Sequence, residues 1–207
     1  MVMRTEVTSA MNDYQIRAAL HRRRLSRHHR DPHTLVLDEL GLQHGKCRAD
    51  IALVNGHLVG IEIKSDVDSL YRLSTQVESY NAVFDRISLV LTRCHLEAAV
   101  PLVPEWWGLV LAKKGPRGGI DFTTIRRAQR NAGVDDFSVA QLLWRDEAKE
   151  ILLELGLEER ELRGNRTALY RQLLDRLSSS ELRGCVRHKL KCRPEWRDHE
   201  RPSPCDG

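Results

Sequence analysis

Apolar positions along this chain change their spacing twice, and those changes divide it into segments. Over residues 12–30, Ile16, Ala19 and Leu20 fall at i, i+3 and i+4, which predicts a helix with basic remaining faces. Pro32 suits the first turn of a second helix reaching about Leu40. Its apolar side would be Leu35, Val36 and Leu40, and Gly41 would stop it. The spacing then shortens to alternation, predicting strands over about 48–54 and 58–64 around Asn55-Gly56. Asp68 or Ser69 can cap a third helix to about Phe84, with Leu70, Leu73, Val77 and Phe84 facing inward. The run RISLVLT (86–92) has the character of a central strand buried on both faces. A short helix near 95–100 leads to a strand over 106–112, turn chemistry over 113–119 and a last strand near 120–124. From about Val139 onward only helical spacing remains.

The pattern predicts an α/β protein with a mixed central sheet flanked by helices and a C-terminal helical extension. The expected division is a core with its basic N-terminal helix over 1–125, the extension over 126–200, and a disordered tail over 201–207. Hydrophobic residues make up 41% of the 207 and charged residues 30%, enough apolar side chains for a core of that size. No apolar run approaches the roughly 18 residues of a membrane span, and MVMRTEVTSAMND lacks the apolar centre of a secretory signal. Five cysteines at irregular spacing fit a reducing cytoplasm. They read as free thiols rather than as a zinc site at Cys185, His188, Cys192 and Cys205, because no CxxC pair is present.

Net charge is only +4, so the local distribution carries more information than the total. Arg17, Arg22, Arg23, Arg24, Arg27 and Arg30 crowd one early stretch, and a second basic run covers Arg183 to Arg197. Such clusters attract polyanions, or else form solvated helix faces. Arg22, Arg23, Arg24 and Arg27, with Arg48 and Arg72, are the candidate nucleic-acid contacts.

The charges inside the apolar hairpin need a separate explanation. Glu62 and Lys64 share one face of their strand, while Ile61 and Ile63 take the other. A two-residue turn at Asn55-Gly56 would put Asp50 opposite Ile61 and one carboxylate among apolar side chains, a cost of several kcal/mol. An odd-numbered loop, with Asn55 or Gly56 at positive φ, would bring Asp50 and Glu62 to one side with Lys64 beside them. Converging carboxylates attract a hard cation. The plain alternative is a half-exposed strand with a charged outer face. Glu39 precedes the hairpin on the second predicted helix, and Arg72, Gln76 and Tyr80 follow it at i, i+4 and i+8.

In order along the chain, DELGL, RADIAL, GIEIKSD and QVESY resemble the PD-(D/E)XK nuclease superfamily over about residues 35–112. Asp68 and Leu70 resemble in particular its replication-repair branch, although Ala49 stands where a proline usually precedes the strand aspartate. The resemblance implies a restriction-endonuclease-like core and a metal-dependent phosphodiesterase, with DNA as the expected substrate in repair, recombination or defence. It assigns Mg²⁺ or Mn²⁺ to Asp50, Glu62, the Ile63 carbonyl and Glu39. Lys64 would activate water, and Gln76 and Tyr80 would position the substrate or the carboxylates. The rival reading is a catalytically silent nucleic-acid-binding or regulatory protein on the same fold. A further alternative is an interaction module whose C-terminal helices dock a protein partner.

Overall fold

A computed structural model describes residues 10–194. Two helices open the described chain, α1 (Asp13–Arg23) and α2 (Ser26–Arg30), followed by strands β1 (Leu35–Leu42), β2 (Cys47–Val54) and β3 (Leu58–Lys64). Helix α3 (Leu73–Val83), strand β4 (Arg86–Leu91), the short helix α4 (Leu96–Ala99) and strands β5 (Gly108–Lys114) and β6 (Ile120–Arg126) come next. Helices α5 (Asp136–Ala140), α6 (Arg145–Glu154), α7 (Arg166–Arg176) and α8 (Ser179–Cys192) complete the order. The expected mixed α/β architecture with C-terminal helices is present. The tail predicted over 201–207 lies outside the described residues.

The six strands lie in sequence order, with β3–β4 and β4–β5 parallel and the other pairs antiparallel. Strand β4 is central and buried on both sides. Leu89 and Leu91 enter a large core on one face, and Val90 enters a smaller core on the other. The large core includes Leu73, Tyr80 and Phe84 around α3, together with Leu152, Leu169, Leu173, Val186 and Leu190 of the C-terminal helices. The smaller core joins Ile16, Ala19 and Leu20 of α1 to Ile51, Leu53, Ile61, Ile63 and Val110 of the sheet. Helix α1 therefore lies on the opposite face from α3.

Three local expectations are corrected. The third helix starts at Leu73, with Arg72 rather than Asp68 or Ser69 at its N-cap. The single helix expected over 12–30 breaks at Arg24-Leu25, where Leu25 turns down to bury itself against the sheet at 4% exposure. The helix expected over 32–40 is the edge strand β1, paired antiparallel with β2 from Leu35↔Val54 to Leu42↔Cys47. A short apolar run fits either element, and here the open edge of β2 decides. Leu37, Leu40 and Leu42 reach the large core from a strand that is irregular at Glu39, whose φ is 57°. Tryptophans 106 and 107 divide as a strand entry should, with Trp107 fully buried and Trp106 partly so.

Candidate functional site

The β2–β3 loop settles the parity of the hairpin. Val54 pairs with Leu58 and Ile51 with Ile61, leaving three residues in the loop and placing Asp50 opposite Glu62. Neither Asn55 nor Gly56 takes the positive φ expected of an odd loop. Instead Asn55 closes the loop with its own side chain. Its Oδ1 accepts from the His57 N–H at 3.0 Å, while its N–H donates to the His57 carbonyl at 3.1 Å.

Glu62 and Lys64 point together into the interior, at 1% and 5% exposure, and meet as an ion pair at 2.8 Å. Lys64 Nζ also donates to Gln76 Oε1 at 2.9 Å. The Tyr80 hydroxyl donates to the other Glu62 oxygen and accepts from the Asp50 N–H at 3.2 Å. Gln76 and Tyr80 can both reach the strand because they lie one turn apart on the face of α3 that covers it. Arg72, a turn earlier, is exposed at the N-cap and stays outside the network. Tyr80 packs its ring against Phe84 and Trp107, so the hydroxyl is held by the core behind it. Burial first, and the Glu62 and Asp50 charges next, push the phenol well above its ordinary value. It is a fixed hydrogen-bond donor and acceptor.

Asp50 is bound from two directions. Its Oδ2 accepts from the Ile63 N–H at 2.7 Å. On the other side stands Arg17 of α1, which donates to the Asp50 carbonyl and lies 3.3 Å from its Oδ1. The same guanidinium reaches Glu39 at 2.8 Å and Asp13 at 3.1 Å, and comes within 3.9 Å of Asp38. Burial, and then the Glu62 charge, raise the Asp50 carboxyl to about 7 despite the opposing Ile63 and Arg17 contacts. The two carboxylates would repel each other unaided. Arg17 and Lys64 are the cations that hold them.

A Mg²⁺ ion would need an open set of oxygen ligands around one point. Among the described residues no three His, Cys, Asp or Glu side chains form such a group. Glu62 is occupied by Lys64 and Tyr80, Asp50 by Ile63 and Arg17, and Glu39 projects outward from a strand at the rim rather than from a helix. In this arrangement the donors do not fit the ion. They form a salt-bridge network that ties α1 to the hairpin and the hairpin to α3.

Of the candidate nucleic-acid contacts, all six arginines are exposed. Arg23 is tied to Asp121, and Arg24 donates to Thr124 Oγ1 at 2.9 Å, so these two fasten α1 to β6. Arg48 lies 3.9 Å from Glu39 at the edge of the charged network. The later basic run is largely turned onto the protein itself. Arg183 pairs with Asp136 at 2.8 Å, Lys189 with Glu150 at 2.9 Å and Arg193 with Glu147 at 2.6 Å. Residues 195–197 of that run lie outside the described residues. Sequence reasoning missed Arg17, Asp13 and Asp38 as members of the charged network. Only the Asp13/Arg17 spacing of four was visible as a local signal.

A family model for the bacteriophage P4 protein cII matches residues 7–199, nearly the whole chain. The chain belongs to the phage P4 cII family. A curated relative, protein cII of Enterobacteria phage P4, is 27% identical over 122 residues, which is 59% of this chain and 46% of the relative. The chain therefore spans about half the length of that cII protein. Among solved structures, a protein of unknown function from Silicibacter pomeroyi aligns with a TM-score of 0.37 and 20% identity, over 68% of this chain and 89% of its own. Membership of the cII family overturns the resemblance to PD-(D/E)XK nucleases, and with it the metal-dependent deoxyribonuclease, its hydrolase class and its place in DNA repair. The physical reason for the mistaken resemblance is visible. Asp, Glu-x-Lys and Gln-x-x-x-Tyr are few and short signals, and here the same residues make an internal ion pair and hydrogen bonds that tie the hairpin to α3. No helix among the described residues is long and apolar enough to cross a membrane.

Proposed function

We propose that this cII-family protein is a regulatory nucleic-acid-binding protein in which the charged network anchors the basic N-terminal helices instead of cutting a substrate. The observation that carries this reading is the position of Arg17. It is only 14% exposed and is held by Asp13, Glu39 and Asp50, so α1 is fixed to the sheet by its inward arginine. Arg22, Arg27 and Arg30 of the same two helices remain exposed. A basic surface fixed in orientation suits a phosphate backbone better than a mobile one, because less side-chain and helix freedom is lost on binding.

The reading is tested by fluorescence anisotropy on the full chain with labelled duplex DNA, single-stranded DNA and RNA, in the presence of EDTA. Affinity is expected to fall steeply between about 50 and about 200 mM salt. Replacing Arg22, Arg27 and Arg30 together by Gln should flatten the log–log salt slope by roughly 2–3, since each phosphate contact on duplex DNA contributes about 0.9. An unchanged slope, or no binding to any of the three probes at the lowest salt, would remove nucleic acid as the partner of this face.

A further inference from the structure

The two edges of the sheet are built differently. Strand β1, at one edge, is interrupted at Glu39, whose φ is 57°, and presents the exposed side chains of Asp38 and Glu39. Breaks and charges of that kind keep an edge from pairing with another chain. Strand β6, at the other edge, has β5 on one side and no strand on the other among the described residues. From Ile120 to Thr124 it pairs residue by residue with β5, and the register shifts only after that, between Val110 and Leu109. This stretch contains no proline, glycine or lysine, and its one charged residue is Asp121. Thr123, Thr124 and Ile125 are exposed.

The backbone groups that face outward follow from the ladder. At the mouth of the β5–β6 hairpin the Gly115 N–H donates to the Gly119 carbonyl at 2.7 Å. Hydrogen-bonded pairs recur at every second residue of an antiparallel ladder. Asp121 and Thr123 therefore turn their N–H and C=O groups toward β5, and Ile120, Phe122 and Thr124 turn theirs away. No backbone partner meets these three on the outer side among the described residues. Their side chains lie on the face of α1. Ile120 belongs to the smaller core, Phe122 packs against it only partly buried, and Thr124 Oγ1 accepts from Arg24.

We propose that β6 is a self-association edge, at which a second copy of this chain adds its own β6 antiparallel and joins the two sheets into one. The edge is complementary to itself. With a two-fold axis through Phe122, Ile120 exchanges hydrogen bonds with the second copy's Thr124, and Phe122 with the second copy's Phe122. The two phenyl rings meet across the axis, and Asp121 faces the second copy's Thr123, so no like charges are opposed. A second copy fits better than a foreign peptide because the outward groups are symmetric about Phe122 and the single charge falls opposite a neutral residue. An axis perpendicular to the sheet keeps α1 and α2 of both copies on one face, with Arg22, Arg27 and Arg30. The association goes beyond the nucleic-acid reading and does not depend on it.

Sedimentation equilibrium on the full chain, without nucleic acid and between about 5 and about 200 µM, should show a reversible monomer–dimer equilibrium. A chain that stays monomeric throughout would overturn the proposal. Hydrogen exchange on the wild type locates the edge without any variant. The amides of Ile120, Phe122 and Thr124 should gain protection as concentration rises, whereas those of Asp121 and Thr123, bonded to β5, are protected at every concentration. A gain centred elsewhere, or none, would also overturn it. Thr123→Asp places a carboxylate opposite the second copy's Asp121 twice in each dimer and should weaken association by about threefold to tenfold, while Thr123→Lys leaves it unchanged or tighter. Position 123 is exposed, and both variants should melt with the wild type. Equal effects of the two opposite charges would refute pairing in this register.

Discussion

Replacing Arg17 by Met tests the account of the charged network most directly, because it leaves the stem of the side chain and removes the cation. Two of its contacts, to Asp13 and Glu39, involve carboxylates that are 39% and 48% exposed, and pairs of that kind are worth about 0–1 kcal/mol each. The third involves Asp50, whose side chain is 20% exposed and faces Glu62. Removing one member of a buried pair typically costs about 3–5 kcal/mol. With Asp50 partly open to water, a loss of about 3 kcal/mol at pH 8 is expected, equivalent to roughly 6–12 °C in melting temperature for a chain of this size. The pH dependence has a definite sign. The folded carboxyl sits at about 7, above its ordinary 3.8, so the folded state holds the proton more tightly and stability falls as pH rises through that interval. Without Arg17 the carboxyl rises further, and the fall continues above pH 7. The cost of the substitution should therefore shrink by about 1 kcal/mol between pH 8 and pH 5.5. Asp50→Asn in the same background should recover part of the loss, giving a coupling energy of about 1–3 kcal/mol in a double-mutant cycle. Urea denaturation at the two pH values measures all four variants. Equal destabilisation at both pH values together with zero coupling would refute the claim that Arg17 serves to hold Asp50.

Tyr80→Phe keeps the ring between Phe84 and Trp107 but removes the hydroxyl from Glu62 and from the Asp50 N–H. It should lower stability by about 2–3 kcal/mol in urea denaturation, and a change below about 0.5 kcal/mol would mean that water replaces the hydroxyl. Gly60→Ala would place a Cβ 2.8 Å from the buried Phe84 ring, so a loss of about 1–3 kcal/mol is expected, with wild-type stability as the contrary outcome. The salt slope of nucleic-acid binding should respond to Arg22, Arg27 and Arg30. It should respond much less to Arg23 and Arg24, which already hold Asp121 and Thr124, and equal effects in anisotropy titrations would count against those contacts.

Strands β2 to β6, helix α3 and the all-helical C-terminal part were legible in the sequence because each carries its own periodicity. Alternation over residues 58–64 and four-residue spacing over 72–80 are local properties, and no distant partner is needed to read them. The same periodicities place Glu62 with Lys64, and Gln76 with Tyr80, before any contact is known. Strand β1 was not legible. Leu35–Leu42 is a short apolar run that suits a helix on its own, and it becomes a strand because β2 offers an unpaired edge. Hairpin parity was open for a similar reason, since three loop residues closed by the Asn55 side chain differ from a two-residue turn only in how the chain is finally paired. The insertion of Arg17 between Asp13, Glu39 and Asp50 depends on α1 lying across the sheet, which brings together residues up to 33 positions apart. Charge types and their spacing do not say whether a carboxylate pair will face a cation from solvent or an arginine from its own chain. That choice belongs to the packing of α1 against Ile51, Ile61 and Ile63, because burying the apolar side of the helix carries Arg17 to Glu39 and Asp50.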